Sequence, residues 1–258
     1  MRFFNTEGPV RPQDHYCIPP LSRWDLDEVL VLIERKKYFL LHAPRQTGKT
    51  SCLLALMERL NGEGRYRVAY ANIEGAQVVR EDVGRGMAAI CSVIGRSVRL
   101  YLGDRRLADW CAAEGAAVPP EDRLVQLLEF WAAADPRPAV LLIDEVDALV
   151  GDTLIALLRQ LWAGYNQRPE HFPQTVVLCG VRDLRDYRIH ASSEPSPITG
   201  GSAFNIKAKS LRLGDFDRDD VSRLLGQHQG ETGQAFTAEA IERVWYLTRG
   251  QPWLVNAL

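Results

Sequence analysis

Lysine is scarce in this chain, and its cysteines follow no pattern. Only five of the 31 basic residues are lysines (Lys36, Lys37, Lys49, Lys207 and Lys209). With the many alanines, that bias reflects a GC-rich coding sequence more than function. The five cysteines, Cys17, Cys52, Cys91, Cys111 and Cys179, form no C-x-x-C pair and lie near no histidine at zinc-ligand spacing. A disulfide framework and a structural zinc site are thereby excluded, and isolated thiols fit a reducing compartment. No apolar run approaches the roughly 20 residues needed to cross a bilayer, and the opening MRFFNTEGPVRPQDHY holds no signal-peptide apolar region. A cytoplasmic protein with no membrane partner is expected. Charge of one sign is lacking too. A net charge of −2 offers nothing global to attract nucleic acid, although a local basic face remains open.

What is present is an ordinary globular mix. Hydrophobic residues are 46% and charged residues 25% of 258, which excludes disorder and allows one large α/β domain with a small appendage. No internal repeat or low-complexity linker divides the chain. Residues 1–25 read as an extended lead-in rich in Pro, Gly and polar residues. Helical spacing follows over Leu26–Ile33, then the continuous apolar run Tyr38–His42, the pattern of a buried parallel strand. A helix after Gly48, ended by Asn61-Gly-Glu-Gly64, and a second buried strand at Arg67–Ile73 come next. Helical patterns occupy about 78–103 and 121–134, and Pro138–Glu145 is a third strand. Helix 152–166, strand 174–180 and a candidate strand Lys209–Leu213 flank an irregular stretch at 183–207. From Asp215 the pattern is all-helical. Tryptophans 110, 131, 162, 245 and 253 fall in helical apolar patterns and are expected in the core. Alternating strands and helices followed by helices predict a parallel-sheet α/β core, residues 26–214, and a small helical lid, residues 215–258.

The strongest local signal is Ala43-Pro-Arg-Gln-Thr-Gly-Lys-Thr50, a phosphate-loop pattern with Ala in place of the first Gly. It leaves a predicted strand and opens a predicted helix, the context this motif requires. Backbone N–H groups of the loop and helix N-terminus surround a β-phosphate, and the helix dipole adds favourable potential. Lys49 supplies a point charge to the β- and γ-phosphates. The Thr50 hydroxyl is a hard oxygen ligand for Mg²⁺, and Gly48 lets the backbone approach a phosphate without a Cβ. About 95 residues on, Val140-Leu-Leu-Ile-Asp144-Glu145 places two acids at the end of an aliphatic strand. Such a pair is costly unless a metal-bound triphosphate offsets it. Asp144 is the expected Mg²⁺ ligand and Glu145 the general base for the attacking water. Asp147 reads either as a further acid near the metal or as a solvated helix-start residue. The guanine signatures D-x-x-G and N-K-x-D are missing, which favours ATP.

Together these blocks resemble the AAA+ superclass, and within it the STAND-related ATPases of bacteria and archaea. Leu178-Cys-Gly-Val-Arg182 and Thr248-Arg-Gly-Gln-Pro252-Trp-Leu add to the resemblance, which spans nearly the whole chain. It implies a P-loop NTPase fold, three-layer α/β/α with a parallel sheet of the ASCE type, followed by a truncated lid. It further implies nucleotide contacts at Ala43, Arg45, Gln46, Thr47, Gly48, Lys49, Thr50 and Ser51. The lead-in His15–Leu21 resembles the stretch that covers adenine, which points to Tyr16 and Ile18, with Pro252 packing on the base from the lid. Arg182 matches the γ-phosphate sensor by position, or is an exposed arginine at a strand end. The Gly250–Pro252 turn either belongs to the base site or simply ends one helix and starts the next. Arg249 reads as a lid sensor or as a helix-terminal cation. Arg185 and Arg188 are open to a role as a finger reaching a neighbouring subunit, or to a solvated cluster.

The expected function is Mg²⁺-dependent ATP hydrolysis driving a conformational switch, with ATP and ADP as ligands, association into a homo-oligomer on ATP binding, and an effector domain beyond residue 258. The alternative is the motor of a nucleic-acid-associated ATPase of mobile-element, defence or origin-recognition type. A third class, an ATP-bound scaffold without turnover, is disfavoured by Glu145.

Overall fold

The computed structural model describes residues 1–182 and 208–258. In chain order the strands are β1 (Phe3–Phe4), β2 (His15–Tyr16), β3 (Phe39–His42), β4 (Arg67–Asn72), β5 (Ala139–Asp144), β6 (Thr175–Gly180) and β7 (Lys209–Arg212). The helices are α1 (Leu26–Glu34), α2 (Lys49–Glu63), α3 (Val83–Leu102), α4 (Arg106–Ala112), α5 (Arg123–Ala133), α6 (Gly151–Ala163), α7 (Arg218–Thr232), α8 (Ala238–Thr248) and α9 (Pro252–Ala257). Single 3-10 turns lie at Pro20–Arg23, Glu74–Val79, Val146–Ala148 and Tyr165–Gln167.

The aliphatic runs form one five-stranded sheet in the order β4-β5-β6-β3-β7. β4, β5, β6 and β3 pair in parallel, so their carboxyl ends share one edge. The register sets Asn72 opposite Asp144 and His42 opposite Gly180. Strand β6 stands between β3 and β5, the order expected of an ASCE-type P-loop fold. In open α/β sheets this carboxyl edge is where ligands are held.

The chain divides into two compact units. The larger, Asp27–His42 with Met57–Leu211, has a continuous apolar core under the sheet. Trp131, Leu141, Ile143, Leu157, Leu161, Phe172 and Val176 are all fully buried there. Strand β5 is buried along its whole length, as a strand covered on both faces must be. The helical pattern of 78–103 is broken, because the Asp82 carboxylate accepts the Arg85 N–H and caps α3. The stretch before it winds as a 3-10 turn. Trp110 and Trp131 join the core. Trp162 does not: it is 40% exposed and stacks on Tyr165 with centroids 4.8 Å apart. It lies near the end of α6 on the side turned from the core, where helical spacing alone does not separate a core edge from a surface.

The smaller unit comprises Met1–Leu26, Ala43–Leu56 and Arg212–Leu258. Its core is a modest cluster of Tyr16, Ile18, Phe216, Val221, Leu224, Leu225 and Val255. Tyr16 meets Phe4 at 5.0 Å and His228 edge-on at 5.3 Å. Helix α7 starts with a reciprocal capping box between Asp217 and Asp220, which satisfies backbone donors that a helix start leaves over. The segment 183–207, with Arg185 and Arg188, lies outside the described residues.

Candidate nucleotide site

The phosphate loop belongs to the smaller unit. The loop passes through the left-handed region at Gln46, φ 61°, where a side chain makes it costly, and at Gly48, φ 90°, where glycine allows it. The Cys52 N–H bonds the Gly48 carbonyl at 3.1 Å, the first rung of α2. The N–H groups ahead of that rung belong to the orphan set of a helix start, where anions are favoured. Lys49 is only 5% exposed. Its Nζ donates to the carbonyls of Ala43 and Pro44, both at 2.9 Å. The loop thus folds around its own lysine, and among the described residues this buried ammonium has carbonyl oxygens and no carboxylate as partners, a site short of an anion. Thr47 is buried and donates its hydroxyl to the Pro44 carbonyl. Arg45 is exposed and Thr50 half-buried.

A cavity of about 390 Å³ opens beside the loop, within the volume range of small-molecule sites. Of the sequence-predicted contacts, Tyr16, Ile18, Gln46, Gly48, Ser51 and Pro252 line it. Ala43, Arg45, Thr47, Lys49 and Thr50 do not belong to its wall. The Ser51 hydroxyl accepts the Val10 N–H at 3.0 Å, fixing the lead-in to the loop. The Gly250–Pro252 turn ends one helix and starts the next, and its Pro252 lines the cavity. Arg249 closes α8 in the left-handed region, and Pro252 opens α9 at its first turn. Gly250, at φ 79°, accepts the Phe216 N–H on its own carbonyl at 2.8 Å, and a Cβ there would meet the Phe216 oxygen at 1.9 Å. Only glycine fits. The Arg249 guanidinium lies 5.1 Å from the Tyr246 ring centroid, as a helix-end cation on an aromatic face.

Several cavity residues escaped the sequence reading, Trp253, Phe216 and Arg23 among them. Trp253, expected in the core, lines the cavity and donates its indole N–H to the Thr6 carbonyl at 2.9 Å. Phe216 and Arg23 also line it. No local motif marks Phe216 or Arg23, because contacts some 190 residues apart in sequence bring this region together.

The acidic pair lies in the larger unit, at the carboxyl end of β5. Asp144 is fully buried. Its Oδ2 accepts the Tyr70 hydroxyl at 2.9 Å and its Oδ1 the Glu145 N–H at 2.9 Å. Glu145 follows in the left-handed region at φ 60°, ψ 42°, a costly conformation for a residue with a side chain that sites of chemistry often retain. Asp147 is an acid in the first turn of the 3-10 helix after β5, as the helix-start reading has it, but it is not fully solvated. It is half-buried in the turn after β5, and its Oδ1 accepts the Val181 N–H at 3.1 Å. It thereby ties the exit of β6 to the turn that follows the acids. Arg182, the next residue, is exposed.

Among the described residues no group of three or more His, Cys, Asp or Glu could hold a metal by itself. Mg²⁺ does not require one, since it takes one or two protein oxygens and completes its shell with phosphates and water. The Thr50 hydroxyl and the Asp144 carboxylate are oxygen donors of that hard type.

Comparison with known proteins sets the site in a family. The chain matches the AAA domain family over residues 33–187, more than half its length. Among solved structures it is similar in fold to Cdc6p from Pyrobaculum aerophilum, at 17% identity and a TM-score of 0.56, covering 98% of this chain and 61% of that one. It is similar also to a DNA replication initiation factor, at 15% identity and a TM-score of 0.51, covering 95% and 63%. An A156S variant of RuvB from Thermotoga maritima aligns at 14% identity with a TM-score of 0.50, covering 96% and 63%. The chain therefore spans about three-fifths of the length of these structures. No curated protein is significantly similar to it in sequence. With a parallel sheet in P-loop order, a phosphate loop folded around its lysine and a family match across the core, the chain belongs to the AAA domain family.

Proposed function

We propose that this chain binds Mg·ATP and hydrolyses it, and that the cycle of binding and hydrolysis switches its conformation. The observation that carries the reading is Lys49, a buried ammonium held, among the described residues, by loop carbonyls alone beside a cavity of about 390 Å³. The β- and γ-phosphates take those carbonyls' place as its partner, and the N–H groups opening α2 cradle the β-phosphate. Thr50 and Asp144 hold Mg²⁺, which neutralises charge on the phosphate oxygens. Glu145 accepts a proton from the water whose oxygen attacks the γ-phosphorus, as the bond to the β-phosphate oxygen breaks and ADP leaves. Arg182 reads the γ-phosphate, a role its planar fork suits and one that supports a STAND-like subtype. Tyr16, Ile18 and Pro252 enclose the base, and ATP-bound copies associate.

Calorimetry and phosphate release test this. Lys49→Ala abolishes ATP binding, because it removes the phosphate charge. Glu145→Gln keeps binding and lowers turnover by about a hundredfold or more. A Lys49→Ala variant that binds ATP like the unaltered chain overturns the assignment.

A second reading, the motor of a nucleic-acid-associated ATPase, is favoured by one observation. Two of the structures similar in fold carry the names of Cdc6p and a replication initiation factor. Filter binding to duplex DNA across a salt series tests it, a steep slope supporting the reading and no retention removing it.

A further inference from the structure

We infer that Arg23 is a ligand for the α-phosphate of the bound nucleotide, a role that rests on the nucleotide reading proposed above. Arg23 ends the 3-10 turn of the lead-in and lines the cavity together with Gln46, Gly48 and Ser51. Its Nη1 donates to the Thr47 carbonyl and its Nη2 to the Gly214 carbonyl. The guanidinium carbon stands 4.8 Å from the Phe216 ring centroid. A guanidinium carries more N–H donors than those two bonds use, and the described residues spend no others.

The space that Gly48 leaves by having no side chain is filled by this group. A Cβ on Gly48 would lie 2.6 Å from Arg23 Nη1. The cation therefore abuts the turn at which the phosphate-binding backbone begins.

Charge makes the same case. Among the described residues no carboxylate comes within ion-pair distance of Arg23. Burial lowers its proton affinity, while the thiol of Cys52 and the carboxylates of Asp220 and Asp215 act on it only through space, in the opposite sense. A half-buried cation satisfied by carbonyls and a ring is poorly compensated. An anion entering the cavity supplies the missing charge through charge-assisted hydrogen bonds, for which the guanidinium fork is suited.

Position selects the phosphate. Lys49, the residue for the β- and γ-phosphates, is not part of the cavity wall. Arg23 is, and the same wall carries Tyr16, Ile18 and Pro252, the base-enclosing residues. The phosphate that lies next to the ribose, shared by AMP, ADP and ATP, fits the stretch between the base wall and the loop.

The test compares ligands that differ by that phosphate. Dissociation constants for ADP, AMP and adenosine are measured by competition against a fluorescent ADP analogue, for the unaltered chain, Arg23→Gln and Arg23→Lys. Arg23→Gln weakens ADP and AMP alike, by about tenfold to 150-fold, and leaves adenosine within about twofold. Arg23→Lys, which keeps the charge and loses the fork, gives an intermediate loss in the AMP-to-adenosine ratio. That ratio is internal to each variant, so partial unfolding does not imitate it. An equal loss for adenosine makes Arg23 a packing residue and overturns the inference alone, as does undiminished AMP and ADP binding. Failure of the unaltered chain to bind ADP overturns the nucleotide reading and this inference with it.

Discussion

The two units of this protein bury their apolar residues very differently. In the larger, strands β5 and β6 are buried at every position, and a core of some thirty residues runs from Tyr38 to Leu178. In the smaller, the cluster around Tyr16 holds seven buried residues among those described, a cavity of about 390 Å³ opens beside it, and α8 has a single buried residue, Thr248. Interiors packed like crystals hold one arrangement, whereas elements with few buried contacts open at low cost. The contrast suggests a division of labour under the proposed function: stability is concentrated under the sheet, and the response to nucleotide is assigned to the lead-in, the phosphate loop and the C-terminal helices. A ligand that binds only the folded site stabilises it by mass action, so nucleotide slows hydrogen exchange in the smaller unit most.

The largest expected effect sharpens the comparison. Trp131 is fully buried in the larger core, and its carbonyl accepts the Arg67 guanidinium at 2.8 Å. Trp131→Ala lowers unfolding free energy by about 3–5 kcal/mol, read as a shift in denaturant midpoint. A shift of under 1 kcal/mol would mean that the core is not where stability lies. The next prediction strains the comparison, because Arg182 belongs to the well-packed unit yet is assigned to ligand. Arg182→Ala weakens ATP by about tenfold to 150-fold and leaves ADP unchanged in calorimetry. A γ-phosphate contact is a differential one, as a nucleotide-dependent response requires. Equal losses for both nucleotides, or none, remove Arg182 from the site.

Tyr70 joins packing to chemistry more gently. Its hydroxyl donates to Oδ2 of Asp144, the proposed Mg²⁺ ligand, at 2.9 Å, and groups that orient a metal ligand are typically worth 10- to 100-fold in metal affinity. Tyr70→Phe raises the Mg²⁺ concentration needed for half-maximal turnover by about tenfold with saturating kcat retained. A fall in kcat without a change in Mg²⁺ demand would make Tyr70 part of the packing only. The smallest effect is a pH dependence. The Arg137 side chain, hydrogen-bonded at 2.8 Å, holds the Asp135 carboxyl well below the usual carboxylate range, helped by the Arg137 backbone N–H that donates to the same carboxylate and by Arg67. A depressed carboxyl contributes stability above its unfolded pKa of about 3.9 and loses it as pH falls toward the folded value. Asp135→Asn therefore costs up to about 1 kcal/mol at neutral pH, and the difference from the unaltered chain shrinks in thermal melts below about pH 4. A difference that grows on acidification would reverse the assignment.

Local order was legible in the sequence where one interaction range decides it. The aliphatic runs read as buried strands because a strand covered on both faces has no other composition. The phosphate loop and the Asp144-Glu145 pair stood out because their chemistry depends on neighbours along the chain. The partner of Asp147 and the exposure of Trp162 were not legible, for the complementary reason. Asp147 accepts the Val181 N–H from the next strand, and Trp162 sits at a helix edge, and neither fact has a local signature.

By itself the sequence determined the α/β class, the alternation of strands and helices, the loop that opens α2, and the acids that end β5. These follow from hydrophobic period, capping and motif spacing, all of which act over a few residues. The tertiary structure alone decided that β6 stands between β3 and β5, that Tyr70 fastens Asp144, and that Phe216 and Arg23 share a cavity with Tyr16. Each of those depends on which distant segments come to lie side by side, and nothing in a short stretch of chain encodes that, because the free energy selecting it is the burial of whole faces against one another.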